Sequence, residues 1–221
     1  MFLSLDGSAT VYVNASLAAL DALRGASFDT SPTAPIDREQ VREFFTTAVT
    51  RVAATPATSR RNGRRFVHVR LLVADVRALG AATPFAWSTY EFGREGDVYV
   101  FRQAIGAAAG KPAGDVGWTG GEVPGFRLHL PSEIVYHNAG PDNKKRGNIL
   151  VWEQPLPDRL QGRPLAFEAR MKAQSILYRT LWLFAATFGT VAMMFVVLIW
   201  WILRRGRGIG GPGGGAGASR T

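Results

Sequence analysis

Cysteine is absent from all 221 residues, which excludes disulfides, thiolate zinc sites, thiol catalysis and a lipid-modified cysteine in this chain as written. No apolar run near Met1 could serve as a signal peptide, and internal repeats and serine-nucleophile signatures are missing. The stretch "GAAAGKP" from Gly106 has three residues between its glycines and Pro112 after its lysine. A phosphate-binding loop needs four residues there and a Ser or Thr after the lysine. Three histidines occur, His68, His129 and His137. The latter two, with Glu133 or Asp142, lack compact metal-ligand spacing and read as solvent-facing strand residues. Glu153 and Asp158 flank Pro155 and Pro157, where Asp158 reads as the cap of a turn at Arg159 to Gln161. The expectation is therefore a non-enzymatic protein without cofactor or metal.

Acidic residues are missing after residue 174, and this explains the net charge of +9. Residues 1–174 hold 21 Lys and Arg against all 17 Asp and Glu, and the other five arginines lie beside or beyond one apolar run. Arginines next to a bilayer are drawn to anionic headgroups, so the basicity needs no nucleic-acid partner.

What is present is that run, "LWLFAATFGTVAMMFVVLIWWILRRGRG", from Leu181. Leu181 to Leu203 carries no charge. At about 1.5 Å per residue a helix of this length reaches about 35 Å, enough for a hydrocarbon core of about 30 Å. Trp182 at one end and Trp200 and Trp201 at the other suit the headgroup level, and Arg204, Arg205 and Arg207 follow as a polar stop. The pattern divides the chain into a domain over 1–173, a juxtamembrane segment and single span over 174–204, and a Gly/Arg-rich tail over 205–221 expected to be disordered. Ala185 and Gly189 stand four apart, as in a seam that lets a second helix approach.

Before the span the order is α+β. Leu3, Leu5, Val11 and Val13 alternate around Asp6-Gly7 as a hairpin. Leu17, Leu20 and Leu23 predict a short helix stopped by Gly25. Asp37 predicts the cap of a stronger helix with Val41, Phe44, Phe45, Ala48, Val49 and Val52 on one stripe. Asn62-Gly63 predicts a type I′ hairpin, with Val67, Val69 and Leu71 facing inward. Asp75 to Leu79 reads as a short helix ended by Gly80, and "WSTYEFGREGDVYVFRQ" as a second hairpin. Seven glycines between 106 and 125 predict a loop. "FRLHL", "EIVYH", "ILVWEQ" and "PLAFEARM" resume as strands, the last with Leu165, Phe167, Ala169 and Met171 on one side. The fold class expected is a mainly antiparallel sheet covered by a few helices, followed by one C-terminal transmembrane helix.

Two basic tips stand out, Arg60, Arg61, Arg64 and Arg65 around Asn62-Gly63, and Lys144, Lys145 and Arg146 in "NKKRGN". A domain tethered to a bilayer would bring such tips to lipid phosphates, at on the order of 1 kcal/mol per cation near an anionic surface.

The chain resembles bacterial proteins carrying the LppM domain. The resemblance rests on "DGSATVYV", on "RRFVHVRLLVADVRAL" leading into "YEFGREGDVYVFRQ", on "FRLHLPSEIVYHNAGP" with "RGNILVWEQPLPDRLQGRPLAFEARM", and on the single span with an arginine end. It implies an envelope-facing domain behind a lipoprotein signal, with a role in binding envelope lipids. This chain departs from that plan in having neither signal nor cysteine, and Met1 falling inside a strand predicts a start internal to a longer reading frame. The reading is a membrane-anchored envelope protein whose extracytoplasmic domain binds lipid or a lipid-linked ligand through a sheet-and-helix cavity and the basic tips, with the tail in the cytoplasm. The alternative is an accessory subunit of a membrane protein complex. Within fifteen residues of the span, Arg170, Lys172 and Arg179 on one side match Arg204, Arg205 and Arg207 on the other, so charge counting leaves orientation tied.

Overall fold

The computed structural model describes residues 1–31, 33–108, 116–140, 143–145 and 148–206, and of residues 144–145, 174–179 and 206 it describes the backbone. It divides into two units, Met1–Ser175 and Ile176–Thr221.

The first unit is α+β with two sheets. Strands β1 (Phe2–Leu3) and β2 (Ala9–Ser16) form the first hairpin, followed by helices α1 (Leu17–Arg24) and α2 (Arg38–Phe45). Next come β3 (Thr50–Val52), β4 (Ala57–Arg61) and β5 (Arg64–Val73), two 3-10 turns (Val76–Ala81 and Thr83–Phe85), and β6 (Ser88–Glu95) with β7 (Val98–Ile105). The second half contributes β8 (Gly125–His129), β9 (Ser132–His137), β10 (Lys144–Lys145), β11 (Ile149–Glu153), α3 (Leu156–Leu160) and β12 (Leu165–Ser175). One sheet runs β10-β11-β8-β1-β2-β5-β3, with β4 also on β5, and the other runs β6-β7-β12-β9. Every pairing is antiparallel except β1 with β8. The expectation of one mainly antiparallel sheet thus becomes two.

Local chemistry accounts for the elements. Ser16 caps α1 by accepting from the Ala19 amide, and Gly25 closes it at φ 72°, a left-handed conformation that costs glycine little. Asn62 and Gly63 both have positive φ, 50° and 72°, as a type I′ turn requires, and the register sets Arg61 opposite Arg64. Inward residues of both sheets, among them Val11, Val69, Leu71, Phe101, Phe167 and Met171, share one core.

Helix α2 is shorter than its apolar stripe predicts. Asp37 caps it as expected, through the amides of Glu39 and Gln40, and Val41 and Phe45 are buried. It stops at Phe45 because Thr50 Oγ1 donates to the Phe45 carbonyl at 2.7 Å and bonds Thr47 Oγ1 at 2.8 Å. Ala48 and Val49 lie outside the helix, and Val52 belongs to β3. Asp158 is also placed differently. It lies inside α3, which Pro155 precedes as cap, and pairs with Arg163 at 3.1 Å.

The second unit is helix α4, Ile176–Gly206. Thr180–Arg205 has mean hydropathy 2.2 with none of that window buried, making it long and apolar enough to cross a membrane. Thr187 and Thr190 return their hydroxyls to the carbonyls of Leu183 and Ala186 at 2.8 and 2.9 Å, so neither presents an unmet hydroxyl donor.

Candidate functional site

A cavity of about 440 Å³ opens into the first unit, within the range of about 300–1,000 Å³ usual for small-molecule sites. Its walls come from several elements. Leu128 and Trp152 belong to one sheet and Phe101 and Phe167 to the other, while Leu20 and Leu23 come from α1. Aromatic contacts knit the wall: Trp152 stacks on Phe167 at 4.6 Å, Phe126 meets Phe167 at 5.2 Å, and Trp87 meets Phe126 at 6.2 Å.

Charge on this lining is one-sided. It includes Arg24, Arg64, Arg127 and Arg159 but one acid, Glu122. Glu122 is occupied: its carboxylate meets Arg64 at 2.8 Å and accepts from the amides of Thr119 and Gly120 at 3.0 Å. The Thr119 amide, followed by the Glu122 amide and Arg64, holds the Glu122 carboxyl below its ordinary value.

Arg24 and Arg159 meet at Trp87. Arg24, in the last turn of α1, donates to the Pro84 carbonyl at 2.8 Å and lies 4.9 Å from the rings of both Phe85 and Trp87. Trp87 Nε1 donates to the same carbonyl at 2.8 Å. Arg159, in α3, is 1% exposed. It donates to the carbonyls of Gly106 and Ala107 and lies 5.1 Å from the Trp87 ring. Burial lowers the Arg24 guanidinium to about 10, and the nearby charge of Arg159 adds to the shift. Burial alone lowers Arg159. The Tyr90 phenol beside them is pushed up to about 12 by burial. Among the described residues no carboxylate lies within 4.0 Å of either guanidinium.

The basic tip at Asn62-Gly63 is split by the fold. Arg60 and Arg61 are exposed. Arg64 turns to Glu122 and to the Gly117 carbonyl. Arg65 is buried at 8% exposure and donates to the carbonyls of Ala34 and Asp29. The four therefore do not form one lipid-facing cluster: backbone carbonyls draw Arg65 inward, and Glu122 draws Arg64. At the other tip, Lys144 and Lys145 form β10 against β11, and Arg146 lies outside the described residues. In α4, Arg204 lies 5.1 Å from the Trp200 ring and Arg205 4.4 Å from the Trp201 ring, cation-aromatic pairs one turn apart. Trp182 is exposed near its start, and Arg207 and the tail lie outside the described residues.

Among the described residues no three His, Cys, Asp or Glu side chains converge as a metal site. His129 stacks on Phe2 at 3.9 Å and is held below its ordinary value by burial. Glu133 pairs with Lys172 at 2.7 Å, and Asp142 lies outside the described residues.

No protein-family model and no curated protein matches this chain. Among solved structures it is similar to the folded domain of LppM from Mycobacterium tuberculosis, determined by NMR. Identity is 13% and the TM-score 0.41, over 77% of this chain and 85% of that one. That is a weak likeness at the level of fold.

Sequence reading missed Arg24, Trp87 and Arg159. Arg24 had a signal, for it stands seven residues after Leu17 and four after Leu20, placing a cation on the apolar stripe of α1. Arg159 had none, because a helix of five residues shows no period.

Proposed function

We propose that this chain is a non-enzymatic, single-pass membrane-anchored envelope protein whose domain binds a lipid or lipid-linked ligand. The observation that carries the reading is the cavity, with its aromatic wall and its excess of arginine over acid. Apolar walls with a few placed polar groups are the usual composition of a site for a small amphiphile. Helix α4 supplies the anchor by length and hydropathy, and a tethered domain meets membrane lipid at high effective concentration. Arg60 and Arg61 are exposed, which supports a headgroup contact in which each would contribute on the order of 1 kcal/mol near an anionic surface.

Native mass spectrometry of the full chain, extracted in a mild non-ionic detergent, tests this. A monomer carrying a co-purified lipid is the expected result. A stoichiometric protein partner on a lipid-free chain would favour an accessory subunit of a membrane complex, with the Ala185 and Gly189 seam as its contact.

A further inference from the structure

Building on the lipid-binding reading, we propose that Arg24 and Arg159 clamp the anionic head of the bound amphiphile. The ligand is an acyl or alkyl chain ending in a phosphate or carboxylate, its head beside Trp87 and its chain along the aromatic wall.

Each guanidinium carries five N–H donors in a planar fork suited to paired oxyanion oxygens. Arg24 spends its bonding on one carbonyl, that of Pro84, and Arg159 on two, those of Gly106 and Ala107. Carbonyls and the Trp87 ring provide partial negative charge but no counter-ion. Both cations line the cavity, near enough for the charge of Arg159 to bear on Arg24. Arg159 is buried and Arg24 half-buried, and two like charges shielded from water without a carboxylate carry a cost that a bound anion relieves. The acid on the lining does not serve, because Glu122 is bound to Arg64 and to the Thr119 and Gly120 amides. No described carboxylate supplies the anion, and the open cavity leaves room for one to enter with a ligand. An oxyanion reaching both forks would form charge-assisted bonds, the stronger class of hydrogen bond. The surrounding wall of Phe101, Phe126, Trp152 and Phe167 offers nothing to a bare ion and much to a hydrocarbon chain. A head with attached chain therefore fits better than either part alone.

The test uses the full chain in phosphatidylcholine nanodiscs, titrated with octyl phosphate, octanoate, octanol and inorganic phosphate. Binding is read from the indole N–H NMR signal of Trp87, assigned by its loss in Trp87→Phe. This signal reports the site rather than partition into the bilayer. Octyl phosphate or octanoate is expected to bind at least tenfold more tightly than octanol. Arg24→Gln and Arg159→Gln should each remove that advantage while leaving octanol binding intact, with Arg24→Lys and Arg159→Lys intermediate. Retained octanol binding also shows that a variant is folded. Equal affinities for octanol and the anions, unchanged by the variants, would overturn the clamp and leave lipid binding standing. Inorganic phosphate binding as tightly as octyl phosphate would make this a small-anion site and overturn the amphiphile. A Trp87 signal unmoved by every probe would overturn the clamp together with the lipid-binding reading.

Discussion

Arg64 holds Glu122 at 2.8 Å across 58 residues of sequence, fastening the start of β5 to the segment that carries Trp118 along the cavity. Both side chains are about three-quarters shielded, at 24% and 21% exposure. The pair orders the backbone as well, since the same carboxylate accepts from the Thr119 and Gly120 amides.

This predicts an acid-sensitive loop. The folded Glu122 carboxyl lies below its ordinary value of 4.5, chiefly through the Thr119 amide, with its own amide and Arg64 adding to the shift. A depressed carboxyl contributes stability that is present above the unfolded value and lost as pH falls through the folded one. Hydrogen exchange over 117–121, corrected for intrinsic rate, should therefore accelerate as pH drops below about 4.5. Glu122→Gln should show the faster exchange already at neutral pH. An exchange pattern identical in variant and parent would remove Glu122 from this role.

Phe45 carries the second prediction. Its ring is 0% exposed and packs against Phe44 at 5.0 Å and Phe85 at 6.4 Å. Phe45→Ala should cost about 3–5 kcal/mol, because lost transfer energy and a residual cavity add. Urea unfolding of the full chain in detergent, followed by tryptophan fluorescence, measures it. A loss under about 1 kcal/mol would mean that the site collapses or that the helix lies at the surface.

The neighbourhood of Phe45 also shows which features were legible in sequence. Asp37 and Gly25 were readable because capping is local chemistry, and Asn62-Gly63 because two successive positive-φ residues have a narrow residue preference. The end of α2 was not, since Ala48, Val49 and Val52 keep helical spacing past it. A stop made by Thr47 and Thr50 side chains depends on contacts that periodicity does not encode. "FRLHL" and "EIVYH" were legible as strands, but β8 and β9 fall in different sheets. Alternation names a face and leaves the neighbouring strand open. The cavity cations were hidden for the same reason: Arg24 and Arg159 are 135 positions apart and share the Trp87 ring only in the folded chain.

Arg60 and Arg61 should report contact with anionic lipid. In nanodiscs of phosphatidylcholine with phosphatidylglycerol, exchange across 58–66 should slow relative to phosphatidylcholine alone. The difference should shrink with salt, as the Debye length falls from about 10 Å at 0.1 M to about 3 Å at 1 M. Arg60→Ser with Arg61→Ser should abolish the difference and leave the fold intact, because both are exposed. Arg65→Ser should instead weaken the whole domain, as Arg65 is buried and donates to the carbonyls of Ala34 and Asp29. Slowing that survives in the double variant would dismiss the tip as a headgroup contact.

Orientation is the last prediction, and the fold supplies what charge counting lacks. Arg170 and Lys172 lie in β12, ion-paired with Glu168 and Glu133 at 2.8 and 2.7 Å. They belong to a folded domain, and domains cross a membrane largely regardless of charge, whereas short flanking segments obey the positive-inside preference. With those two set aside, Arg179 faces Arg204, Arg205 and Arg207, and the arginine end is favoured for the cytoplasm. The domain is thus expected outside. Within these 221 residues no native cysteine competes with an introduced thiol, and the unsubstituted protein serves as the labelling control. Thr55→Cys, at an exposed position between β3 and β4, is introduced into the native gene, and intact cells are treated with a membrane-impermeant maleimide. Thr55→Cys should label without lysis, and Ser219→Cys in the tail should label after lysis alone. The reverse pattern would place the domain in the cytoplasm and turn the helix into a tail anchor.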